Sequence, residues 1–280
     1  MELKNIDTYF STARERYAIK LRKDSGQPGP WTKDQIFQDW RFCNVHREHD
    51  KTTIWFREQV RSKLKDLAVV EATMIFRWFN KIETGEIIKD LLLNGWDTEE
   101  ARRRLQYVHP LITGAFMIKS PTGLNKLDGL LECIDLGRPI LAEYYPTWGR
   151  TLKDAWVDVQ RIGFLGGFLA YEIVSDLRWT NVLDHAIDIT TWTNAGPGCT
   201  RGIGLVVDGR KDLYDRYSSE DQLTMLVIMQ EILKMSKDDR YWPTDWPAWE
   251  MREVEHWACE YAKYYNASAG IRLKRRFECT

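Results

Sequence analysis

The sequence predicts an all-α fold. Apolar residues recur at spacings of three and four along most of its 280 residues, and the strict alternation that a half-buried strand needs is scarce. Cap-type residues also stand just ahead of the periodic stretches. A hydrophobic content of 44% with thirteen tryptophans supplies the apolar surface for a substantial core.

The elements follow in order. QPGPWTKD, around Pro28 to Pro30, is expected to be a long loop. Asp50 to Glu83 (DKTTIWFREQVRSKLKDLAVVEATMIFRWFNKIE) reads as two helices broken near Asp66, with Thr84-Gly85 stopping the second. Asp97 or Thr98, ahead of Glu99 and Glu100, caps a short helix. Gly123 to Tyr145 reads as one or two helices ending at Pro146, and Thr151 to Asp154 opens another by capping-box logic. That helix runs into RIGFLGGFLAYEIV (Arg161 to Val174), where three glycines predict a tight hairpin and then a second helix. Ser218 to Met235 is amphipathic. A tryptophan-rich loop, DDRYWPTDWPAW, and a long helix, WEMREVEHWACEYAKYY, precede a basic tail. No repeat or linker marks a boundary, so residues 1–280 are expected to form a single helical catalytic unit.

A net charge of −1 gives no global field for nucleic acid, so any polyanion site must be local. Arg102 to Arg104, Arg57 to Lys65 and the tail IRLKRRF are the basic patches, each equally readable as a solvated face. With no apolar run of eighteen and a charged N-terminus, neither a membrane span nor a signal peptide is expected, and the expected location is cytoplasmic. Cys43, Cys133, Cys199, Cys259 and Cys279 form no C-x-x-C pair. Structural zinc, an iron–sulfur cluster and disulfides are therefore not expected, nor is any other metal or cofactor.

Gly163, Gly166 and Gly167 sit where a hairpin would leave backbone N–H groups at the start of a helix, a place where a DNA phosphate docks without any lysine. An ordinary corner between two helices is the alternative. Downstream come Asp184 and Asp188 in VLDHAIDITTWTN. The hairpin Ile162 to Gly166, Ala170 and Asp188-Ile-Thr190 together resemble the helix-hairpin-helix DNA glycosylase superfamily. That resemblance implies a two-lobed helical fold with a cleft between the lobes, residues 151–205 or so carrying the hairpin and the acid. Asp188 would be the catalytic carboxylate, steadying an oxocarbenium-like sugar and handling the attacking water, with Asp184 in reserve. A helix N-cap is the competing role for Asp188. Phe168 stands where strand-cutting members carry lysine, which implies base release without strand cleavage.

Three longer stretches carry a narrower resemblance: QPGPWTKDQIFQDWRFCNVHREHD (Gln27 to Asp50), TTWTNAGPGCTRGIG (Thr190 to Gly204) and MREVEHWACEYAKYY. They are similar to the α-glutamyl/putrescinyl-thymine pyrophosphorylases and to the helical domain of 5-hydroxymethyluracil DNA kinases. This implies DNA as the partner, hypermodified pyrimidines of phages as the bases, and base flipping as the shared step. The leading expectation is a monofunctional DNA glycosylase that releases a base such as glucosylated hydroxymethylcytosine from phage DNA, in antiphage defence. The alternative is an amino-acid or polyamine transferase that displaces pyrophosphate from an activated hydroxymethyl-pyrimidine. A noncatalytic DNA-binding module is the third.

On this reading Trp31, Arg41, Asn44, Arg47 and Trp192 form the base pocket, with Arg41, Asn44 and Arg47 at offsets of three on one helical face. A buried Trp31 and a structural Arg47–Asp50 pair are the competing roles. The hairpin glycines, Gly196, Gly198, Arg201, Lys274 and Arg275 are the expected phosphate contacts, although GPGCTRG also reads as a rigid turn opening a helix. Glu260 and Lys263 either brace the cleft or pair on the last helix. No G-x-x-x-x-G-K-[ST] occurs, so a Walker-type ATP step is not expected of this chain.

Overall fold

Twelve α-helices account for the regular structure in a computed structural model that describes residues 2–114 and 118–277. They are α1 (Ile6–Asp24), α2 (Gln35–Asp39), α3 (Lys51–Gln59), α4 (Asp66–Phe79), α5 (Ile82–Asn94), α6 (Thr98–Leu105), α7 (Lys126–Tyr144), α8 (Leu152–Val159), α9 (Gly167–Leu177), α10 (Pro197–Asp208), α11 (Ser219–Met235) and α12 (Met251–Ser268). Among the described residues there is no β-strand, only an isolated antiparallel bridge between Trp40 and Arg276. None of the described helices is long and apolar enough to cross a membrane.

The local signals act where a side chain can satisfy a free N–H at a helix start. Asp97 accepts from Glu100 N, Thr151 from Asp154 N and Ser218 from Asp221 N, opening α6, α8 and α11. Glu250 and Glu253 form a reciprocal capping box on α12. One reading needs correction. The helix expected to stop at Thr84-Gly85 ends earlier, at Asn80, whose left-handed backbone (φ 45°, ψ 45°) closes α4. Thr84 and Gly85 instead lie in the first turns of α5, and a Cβ on Gly85 would come within 2.4 Å of the Trp55 ring, so this glycine serves packing. Pro139, for its part, lies inside α7 without ending it.

The chain divides into two compact units, residues 1–50 with 190–280 and residues 51–189. In the first, α12 is the central helix. Trp257 Nε1 donates to the backbone Tyr9 O (3.1 Å) and Tyr9 Oη donates to Val254 O (3.0 Å), tying α1 to it through the backbone and the side chain of one residue. Phe10, Trp242, Trp249 and Tyr261 fill the surrounding core. α10 lies against α12 because its glycines permit it: a Cβ on Gly202 would fall 1.9 Å from Ala258 O, and one on Gly198 would fall 2.1 Å from Cys259 Sγ. In the second unit α4 is buried on nearly every face. Its Arg77 forms a two-pronged ion pair with Asp176 of α9 (2.5 and 2.7 Å), both side chains shielded from solvent.

Candidate functional site

The motif from Gln27 to Asp50 folds within the first unit as loop, short helix and extended strap. Asp34 caps α2 through Ile36 N (2.8 Å) and accepts the Tyr264 hydroxyl (2.7 Å), which burial and this carboxylate hold well above the usual phenol range. Trp31 is half-buried. Its indole N–H donates to Gln27 O (2.6 Å), the Lys23 ammonium lies 4.3 Å above its ring, and Phe277 meets it edge-on. Beyond α2 the chain does not continue as a helix. Trp40 is extended (φ −125°, ψ 146°), and the last described segment pairs with it: Phe277 N donates to Asp39 O (2.9 Å) and Arg41 N to Arg275 O (3.2 Å). This overturns the single helical face expected for Arg41, Asn44 and Arg47, because the backbone donors that would build that helix are spent elsewhere: Arg41 N on the tail, Cys43 N on Glu260 and Asn44 N on Asp50. Arg41 is exposed, whereas Asn44 and Arg47 turn inward.

The inward side is a polar cluster on α12. Asn44 donates to Asp50 Oδ1 twice, from its backbone N (2.9 Å) and its side-chain amide (3.1 Å). His256 Nε2 lies 3.1 Å from Asn44 O and 3.9 Å from Asp50 Oδ2. Glu260 accepts from Cys43 N (2.9 Å) and from Lys263 Nζ (3.2 Å), and Lys263 also donates to Arg41 O. Glu260 and Lys263 thus both pair with each other and brace the strap. Burial raises the Asp50 carboxyl against the opposing pull of Asn44, Arg47 and Arg16. Burial, reinforced by Arg252 and Arg47, lowers His256 well below the usual imidazole range and keeps it neutral. The Cys43 thiol is raised by burial and then by Glu260 and Asp50. His256 escaped the sequence reading, although a signal existed: Glu253, His256 and Glu260 put polar groups on a stripe of α12 that also has to be buried.

Outward, the tail and the strap present cations interleaved with rings. Arg41, Arg272, Lys274, Arg275 and Arg276 are exposed, and none forms an ion pair with a carboxylate among the described residues. The Arg276 guanidinium sits 5.6 Å from the Trp40 ring centroid. In the second motif, Gly196 precedes α10 in extended conformation, Arg201 is exposed and Trp192 half-buried. Gly198 faces α12, so its lack of a side chain is explained by helix packing.

The remaining predicted residues lie in the second unit. α8 and α9 are joined by a turn, but the left-handed residue there is Phe164 (φ 65°), none of the glycines. A Cβ on Gly163 or Gly166 would meet nothing within 4 Å, and one on Gly167 would press on the Trp156 ring at 3.1 Å. The positive φ of this turn is therefore carried by a half-exposed phenylalanine. Asp188 is buried, and its two oxygens accept from Leu152 N (2.7 Å) and Lys153 N (3.0 Å) at the start of α8. This carboxylate caps a helix. Asp184 is exposed beside His185 (2.7 Å).

Residues 4–271 match the family model described as "5-hmdU DNA kinase, helical domain". The chain belongs to that family. A member of the 5-hmdU DNA kinase group, the protein of that name from Bacillus phage SP10, is 27% identical over 290 residues. The alignment covers 93% of this chain and 45% of the phage protein, so the chain spans less than half the length of that relative. No solved structure matches the chain significantly. Membership in the 5-hmdU DNA kinase helical-domain family overturns the expected glycosylase: the relative's name denotes transfer of a group to DNA, not hydrolysis of an N-glycosidic bond. The hydrolase and base-excision defence roles fall with it. The transferase alternative stands nearer to the finding.

Proposed function

We propose that this chain is the DNA-holding part of a group-transfer reaction at the hydroxymethyl group of a 5-hydroxymethylpyrimidine in DNA. The observation that carries the reading is the face formed by Arg41, Arg272 and Lys274 to Arg276 with Trp40; Trp40 and Arg41 lie within the segment that matches the family, and the tail cations follow directly after it. Exposed cations supply phosphate contacts, and neighbouring rings supply stacking surfaces for a base taken out of the helix. Group transfer at the hydroxymethyl oxygen leaves the glycosidic bond intact, so no carboxylate beside the sugar is needed. The donor's triphosphate is not cradled by a Walker loop of this chain, since the sequence contains none.

Fluorescence anisotropy with matched duplexes carrying 5-hydroxymethyluracil or thymine tests this, followed by mass analysis of DNA incubated with ATP. Tighter binding of the hydroxymethylated duplex, with any mass gain located on that base, is the expected outcome. Equal affinity for both duplexes, or release of free base, contradicts the proposal.

A further inference from the structure

The strap and α12 bring together three side chains of different donor chemistry. Cys43 Sγ, a carboxylate oxygen of Asp50 and a ring nitrogen of His256 all lie within 4.8 Å of one another. We propose that Cys43, Asp50 and His256 bind one zinc ion. Tetrahedral zinc with bonds of about 2.0–2.3 Å places its donors about 3.3–3.8 Å apart, and Asp50 Oδ2 and His256 Nε2 already stand 3.9 Å apart. A small inward movement of the thiol completes the set.

The mixture of thiolate, imidazole and a single carboxylate oxygen suits zinc and is wrong for magnesium or calcium, which take oxygen donors. The surroundings orient the donors as the outer shell of a metal site does. Both Asn44 hydrogen bonds fall on Asp50 Oδ1, leaving Oδ2 toward His256. Glu260 fixes the Cys43 backbone through its N–H. Binding replaces two protons: zinc takes the place of the Nε2 proton now facing Asn44 O, which moves to Nδ1 or to solvent, and the Cys43 thiol proton leaves to solvent. Arg16, Arg47, Arg252 and Lys263 face the same cluster, with Glu255 paired to Arg252 and Glu260 to Lys263. Asp50 and His256 remain partly open to solvent, so an ion can enter and a fourth position is left for water. Spacing along the chain hides this set, because its cysteine belongs to no C-x-x-C pair.

Cobalt and zinc titrations of the untagged full chain after chelator treatment decide the matter, and they need no DNA, so their outcome is separate from that of the proposed function. The expected result is one Co2+ per chain with a near-ultraviolet thiolate-to-cobalt band, displaced by one equivalent of Zn2+. The band is lost in Cys43→Ser and His256→Gln, retained in Cys133→Ser, and binding weakens about 10- to 100-fold in Asn44→Ala. No band in the unsubstituted chain, or a band that survives in a folded Cys43→Ser protein, overturns the proposal. The titration of the unsubstituted chain is decisive even where a variant fails to fold.

Discussion

Asp176 and Asp50 are both carboxylates enclosed by a helical unit, but they are surrounded differently. Asp176 takes two hydrogen bonds from Arg77, with Arg61 3.9 Å away, and the same guanidinium reaches Asn80 and Thr53. Every strong partner there is charged or dipolar and fixed in place. Asp50 has one oxygen satisfied by Asn44, while the other faces a neutral imidazole at 3.9 Å. The contrast separates a pin from a site: a saturated ion pair holds α4 to α9, whereas a carboxylate raised by burial and half satisfied retains capacity for a ligand.

The largest effect is expected from breaking the pin. Arg77→Met should cost about 3–5 kcal/mol, because it strands the buried Asp176 charge, and Arg77→Met with Asp176→Leu should recover much of that in urea unfolding. Asp50→Asn should cost less than about 1 kcal/mol, since its burial opposes ionisation. Equal losses for Asp50→Asn and Arg77→Met would erase the distinction. Next comes the helix contact. Gly202→Ala should lose about 1–3 kcal/mol by driving a Cβ into the α12 backbone, whereas Gly163→Ala, with open space, should stay within about 0.5 kcal/mol. Asp188→Asn weakens the cap on α8 by about 1 kcal/mol, visible as faster amide exchange at Leu152 and Lys153.

The smallest effect is a pH slope. In the metal-free chain His256 has a folded-state pKa below that of the unfolded chain, so the unfolded state binds more protons in acid. Its contribution to stability is present above about pH 6.5 and is lost as pH falls below it. His256→Gln should flatten the stability profile between about pH 5 and 6.5; an unchanged slope would place the proton-linked loss elsewhere.

What was legible in the sequence was local. The all-helical class and the caps at Asp97, Thr151 and Ser218 depend on residues within one turn, and periodicity exposes them directly. The motif residues from Gln27 to Asp50 identified the family, yet their geometry escaped. Whether Arg41 to Arg47 forms a helix depends on the tail segment pairing at Trp40, a partner that no local pattern names. Gly85 read as a stop because its reason, the Trp55 ring, lies on another helix. Asp188 was legible as a cap or as an acid, and the two N–H partners that make it a cap lie thirty-five and thirty-six residues away in sequence.

If DNA is held on the tail face of the first unit, the salt dependence of binding must report it. Triple substitution of Lys274, Arg275 and Arg276 to alanine leaves the backbone pairing at Trp40 and Asp39 in place while removing three exposed charges. The slope of log K against log salt for a hydroxymethyluracil duplex should then fall in magnitude by about three. Replacing Arg150, Lys153 and Arg161, which flank α8 and its turn, should leave the slope unchanged. A slope that drops with the α8 substitutions and not with the tail substitutions would contradict DNA binding on the tail face.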